Sequence, residues 1–163
     1  MHRKVAFYGM ILCLACIVSY VEAIVPIPIP VPGVKLGLAN GVLLFLMYRE
    51  NVRTTALVSV LRVVLISFLF GNIAAMIYSL SGAVFSLLVM AIMKKSKVFS
   101  VVGVSIAGGT AHNIGQFMVA VFVTRTEALI YYLPVLMIAG VITGFLIGMI
   151  MLEVNKKLRF LST

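Results

Sequence analysis

Four prolines at alternate positions, Pro26, Pro28, Pro30 and Pro32, fall in the stretch Val25 to Asn40, VPIPIPVPGVKLGLAN. Proline fixes φ at about −65°, lacks a backbone N–H and biases the residue before it away from helix. The segment is therefore expected to run extended. Its carbonyls would go without partners in hydrocarbon, so this stretch cannot cross lipid by itself. Gly33 then releases the chain into an apolar run with Lys35 near its beginning. A helix starting at Gly33 would gather free N–H groups and partial positive charge beside that lysine, and these are the elements of an anion site.

Apolar runs dominate everything outside this corner. Hydrophobic residues make up 63% of the 163 positions and charged residues 10%, against roughly 25% charged in soluble domains. The chain reads as an all-α integral membrane protein. The net charge of +9 does not point to nucleic acid, because the basic residues sit in short clusters between apolar runs, where a membrane protein records its orientation. The runs place helices at about 5–25, 33–48, 54–70, 73–93, 98–123 and 128–152, in a single six-helix transmembrane domain over 1–163. With both termini cytoplasmic, the inner side holds Arg3, Lys4, Arg49, Arg53, Lys94, Lys95, Lys97, Lys156, Lys157 and Arg159, and the outer side holds Lys35 and Arg125. That asymmetry is the one expected of a multi-pass protein of a bacterial cytoplasmic membrane, with the proline-rich loop outside.

The first run invites two readings. The basic start and Val21-Glu22-Ala23 loosely match a cleaved signal peptide. The favoured reading is a retained helix, because the run approaches spanning length and carries Ala15, Ser19 and Ala23 at four-residue spacing, which lets another helix approach closely. Cys13 and Cys16 have the spacing of half a redox or metal motif without the other half, and they read as small buried residues. Gly140, Gly144 and Gly148 form a doubled GxxxG, whose ordinary meaning is tight packing within the bundle and whose sharper alternative is a subunit contact.

Polar residues within the runs are the functional signal, since a charge at mid-bilayer costs about 2.5–3.5 kcal/mol on insertion scales and needs a partner or a task. Arg62 lies eight residues before Phe70, about 12 Å below the outer end of its helix. His112 and Gln116 are one turn apart with Asn113 beside them, and Gly108-Gly109 precede them. Glu22 ends the first helix, Lys35 and Asn40 begin the second and Asn72 begins the fourth, all on the same side by this topology. The candidate substrate-binding residues are therefore Lys35, Asn40, Arg62, Asn72, His112, Asn113 and Gln116. A polar network that merely orders the bundle, with Glu22 paired to Arg62 or Lys35, is the bland alternative. A pocket explains the convergence better, and Lys35, Arg62 and a helix N-terminus favour a small anionic ligand, a carboxylate or phosphate.

Other chemistries find little support. His112 has neither a second histidine nearby nor any Asp, so a zinc site cannot be assembled convincingly. No serine or cysteine is evidently paired with it for nucleophilic catalysis. There is no GxxxxGK[ST], so any ATP-driven step must come from another subunit. No catalytic residue, metal or cofactor is expected.

Three motifs in order, PGVKLGLAN (Pro32 to Asn40), LRVVLISFLFGN (Leu61 to Asn72) and AHNIGQ (Ala111 to Gln116), resemble the Gx transporter family, also labelled heptaprenyl diphosphate synthase component I. That family in turn resembles the substrate-binding S components of energy-coupling-factor vitamin transporters. The resemblance covers nearly the whole chain. It implies a six-helix bundle, a small ligand near the outer face, and docking on a transmembrane coupling subunit with two ATPases through the first helix. Ala15, Ser19 and Ala23 are then the partner-docking residues, with Ser19 departing from the usual AxxxA. The enzyme label implies a soluble prenyl diphosphate synthase as alternative partner. Because the chain contains no Asp, it cannot build the DDxxD sites on which such synthases hold magnesium diphosphates.

Overall fold

The computed structural model describes residues 2–24 and 37–160. Lys35 and the four prolines lie outside the described residues, and so does the proposed extended loop. Among the described residues the structure is all-helical, with no strand. The helices are α1 (His2–Ile24), α2 (Asn40–Arg49), α3 (Val52–Phe70), α4 (Ile73–Ser96), α5 (Val101–Thr124) and α6 (Leu133–Phe160), with a 3-10 stretch (Glu127–Tyr132) before α6. Helix is what such sequences must form in lipid, where each backbone polar group needs a partner within its own segment. Short side chains close the exposed starts. Asn51 accepts from the Thr54 N–H at 2.8 Å, Asn72 from Ala75 at 2.8 Å and Ser100 from Gly103 at 3.1 Å.

Among the described residues, five stretches are long and apolar enough to cross a membrane: Lys4–Ile24, Val52–Phe70, Ile73–Ser96, Val101–Thr124 and Ala128–Lys157. The second helix departs from expectation. Gly37 takes φ +85°, and the Gly37–Ala39 turn delays the helix to Asn40 rather than Gly33. With ten residues α2 is about 15 Å long, half of a hydrocarbon core. It survives because it is the centre of the molecule. Leu43, Leu44, Leu46 and Met47 are at most 1% exposed, and α2 touches α1, α3, α4, α5 and α6.

Cross-helix bonds and close backbone contacts give the relative directions of the helices. Tyr8 Oη donates to Glu50 Oε2 at 3.0 Å, while Arg62 Nη1 donates to Ser19 Oγ at 3.2 Å. Thus α1 and α3 run parallel, with α2 antiparallel between them. Lys94 Nζ caps the Met47 carbonyl at the end of α2 and lies 5.1 Å from the Tyr48 ring centre, which brings the end of α4 to the same side. Positions 140, 144 and 148 of α6 descend past 109, 106 and 102 of α5. The amino end of α1 and the carboxyl end of α6 therefore share one end of the bundle with Lys4, Arg49, Arg53, Lys94, Lys95, Lys97, Lys156 and Lys157. Arg125 is at the other end.

The glycine stripe packs inside the molecule. A Cβ at Gly144 would lie 2.6 Å from Ile106 Cα and 2.8 Å from the Ser105 carbonyl oxygen, and one at Gly109 would lie 2.7 Å from the Gly140 oxygen. Backbone meets backbone along this seam, as small residues allow. Outward faces are apolar, with Phe68 87% and Phe122 82% exposed, while Arg62, Glu22, His112 and Gln116 are turned inward. This inside-out distribution, on several spans of sufficient length, is that of a multi-pass membrane protein.

Candidate functional site

Arg62, Glu22 and His112 meet in one cleft, lined by Ser19 and Glu22 of α1, Gly37 before α2, Arg62, Val63, Ile66 and Ser67 of α3, Ser79 of α4 and His112 of α5. Its volume is about 290 Å³ including the open mouth, and its enclosed part has room for about one water molecule. Each wall follows from helical spacing. Arg62, Ile66 and Ser67 share a face of α3, and Ser19 and Glu22 share a face of α1. The imidazole fits because two neighbours lack a side chain. A Cβ at Gly82 would lie 2.8 Å from His112 Cε1, and one at Gly37 would lie 3.0 Å from its Cδ2. Gln116 holds the ring from one turn further along α5, its Nε2 lying 2.6 Å from His112 Nε2.

Arg62 is the charge around which the cleft is arranged. It is 4% exposed, its Nη1 bonds Ser19, and Glu22 acts on it electrostatically. Its Nε has no hydrogen-bond partner among the described residues, and neither do the Ser67 and Ser79 hydroxyls. Buried donors without partners are uncommon because each costs about 1–3 kcal/mol of lost solvation. Here three line a single cleft. Opposite them, Glu22 Oε1 accepts the Gly37 N–H, and the Leu38 N–H at 3.3 Å. A carboxylate thus sits on the amino end of the turn that opens α2.

The candidate residues divide on this geometry. Arg62 and His112 line the cleft. Gln116 stands behind His112. Asn40 is 5% exposed beneath Gly37, with both amide atoms unpartnered, but it does not line the cleft. Asn113 points away to α6, donating Nδ2–H to the Leu136 carbonyl at 2.7 Å. Asn72 is a corrected assignment: it is exposed, its side chain is spent on capping α4, and it lies outside the cleft. Lys35 lies outside the described residues. The docking stripe is corrected too. Ala15 is 0% and Ser19 3% exposed, both packed within the bundle, leaving only Ala23 of the three at the surface.

Several wall residues were not among the sequence candidates: Gly37, Val63, Ile66, Ser67 and Ser79, with Ser19 and Glu22 considered only in other roles. Helical spacing from Arg62 reaches Ile66, and spacing from Glu22 reaches Ser19. Ser79 had no local signal. Among the described residues, no group of three or more His, Cys, Asp or Glu could hold a metal.

A family model described as heptaprenyl diphosphate synthase component I matches residues 11–154. The chain belongs to that family. The match runs from within α1 to within α6 and so includes every residue lining the cleft. Comparisons with curated proteins and with solved structures give no match.

Proposed function

We propose that this protein is a membrane-embedded binding subunit for a small oxyanion, a carboxylate or phosphate compound of the vitamin, flavin or isoprenoid-precursor type. The observation that carries the reading is Arg62: a buried guanidinium with a free Nε, facing two unpartnered hydroxyls in a cleft drawn from five parts of the chain. Guanidinium pairs with such anions through directed, charge-assisted bonds. The lysine-rich end of the bundle faces the cytoplasm under the positive-inside rule, which opens the cleft toward the outer half of the membrane. Lacking a nucleotide-binding loop, the protein works with a transmembrane coupling subunit and ATPases, as S components do.

A second reading is favoured by the family match. A component I implies a component II, so the chain would serve as the non-catalytic membrane partner of a soluble prenyl diphosphate synthase. Gentle purification of the tagged full chain from its own membranes, followed by identification of the proteins that come with it, tests both. Co-purifying coupling subunits and ATPases support the transport reading. A stoichiometric soluble prenyl synthase without them refutes it in favour of the second.

A further inference from the structure

The amino end of α2 carries the donors expected of an anion site, and they are already occupied by the chain's own carboxylate. Glu22 Oε1 accepts from both Gly37 and Leu38 N–H. These groups open the turn that leads into the ten-residue α2, where Asn40 N–H bonds the Gly37 carbonyl at 2.9 Å. Independent donors belong to residues lining the same cleft: the Nε of Arg62, a residue 4% exposed, and the Ser67 and Ser79 hydroxyls, all unpartnered among the described residues. The enclosed space holds about one water, less than a carboxylate or phosphate group needs.

We propose that Glu22 is a tethered competitor of the ligand, holding the site shut until an external oxyanion displaces it from the Gly37 and Leu38 N–H groups and takes up Arg62 as well. This rests on the anion-binding reading above and adds its regulation. A ligand entering must outcompete a group of like charge, which lowers apparent affinity by the fraction of time the site is open. Displacement also breaks the link between α1 and the start of α2, so ligand entry is reported at the centre of the bundle.

Gly37 offers a single-residue probe, because Leu36-Gly37 is the only Leu-Gly pair in the sequence. Full-length protein labelled with carbonyl-13C leucine and 15N glycine, in phosphatidylcholine nanodiscs, gives one amide signal for this position. Inorganic phosphate and acetate are titrated into wild type, Glu22→Gln and Glu22→Asp. The proposal expects the Gly37 signal to saturate at about tenfold lower phosphate in Glu22→Gln than in wild type. Glu22→Asp, charged but one methylene shorter, falls between. Equal or tighter binding by wild type overturns the competitor role while leaving the anion reading intact. No phosphate or acetate response in any of the three overturns both. Repeating the titration with phosphatidylglycerol separates the sources. A Gly37 signal already shifted before phosphate is added supports displacement, with a lipid headgroup as the anion.

Discussion

Replacing Gly144 by Ala adds one methyl group where α6 lies on α5. That carbon would stand 2.6 Å from Ile106 Cα, 2.8 Å from the Ser105 oxygen and 3.1 Å from the Ile106 nitrogen. Carbon contacts settle at about 3.5–4.0 Å, so the helices must part by roughly 1 Å. All three atoms are backbone, and no rotamer change can relieve them. Overpacking of this kind costs about 1–3 kcal/mol, offset by the better helix propensity of Ala, about 1 kcal/mol. The control is Gly9→Ala, on an exposed part of α1 with nothing within 4 Å of the new carbon, where only the propensity gain remains. Reversible unfolding in mixed detergent and dodecyl sulfate micelles, followed by circular dichroism, should separate the two variants by about 2 kcal/mol, with Gly144→Ala the less stable. Since α5 carries His112 and Gln116, Gly144→Ala should also weaken anion binding. Equal stability of the two variants would refute the close α5–α6 seam on which the cleft's back wall depends.

Other perturbations separate structural from binding roles. Asn72→Ala removes the α4 cap and should cost about 1 kcal/mol in the same unfolding assay, with anion affinity unchanged; a binding defect would restore Asn72 to the site. Arg62→Ala removes the donor to Ser19 Oγ and a positive charge that Glu22 acts on electrostatically, and should destabilise by about 1–3 kcal/mol. Adding Glu22→Gln should recover part of that stability without recovering binding, and recovery of both would remove Arg62 from the site. Lys94→Gln takes a cation from the carboxyl end of α2 and from the Tyr48 ring, for a loss of about 1 kcal/mol that thermal unfolding detects.

Apolar runs and basic clusters made the long helices legible, because in lipid a long apolar segment has one available conformation. Gly33 and Lys35 misled for the second helix: hydropathy continues through 33–39, but Gly37 takes a positive φ with its N–H on the Glu22 carboxylate and the His112 imidazole close by, which sequence spacing does not reveal. Intramembrane polarity located Arg62 and His112 because burying such groups needs a reason. It could not tell Asn72, whose amide closes a helix, from a ligand contact, since both put an Asn at a helix start. Small residues at four-residue spacing were equally ambiguous. Gly140, Gly144 and Gly148 pack internally, and so do Ala15 and Ser19, because the same spacing serves any close helix pair.

The central claim is that Arg62 holds an oxyanion in this cleft. Its most direct test is native mass spectrometry of wild type and Arg62→Ala, each purified gently from the membranes that made it and checked for fold by circular dichroism. The account predicts a small anionic adduct on wild type that is missing from a folded Arg62→Ala. The same adduct on both proteins would contradict it.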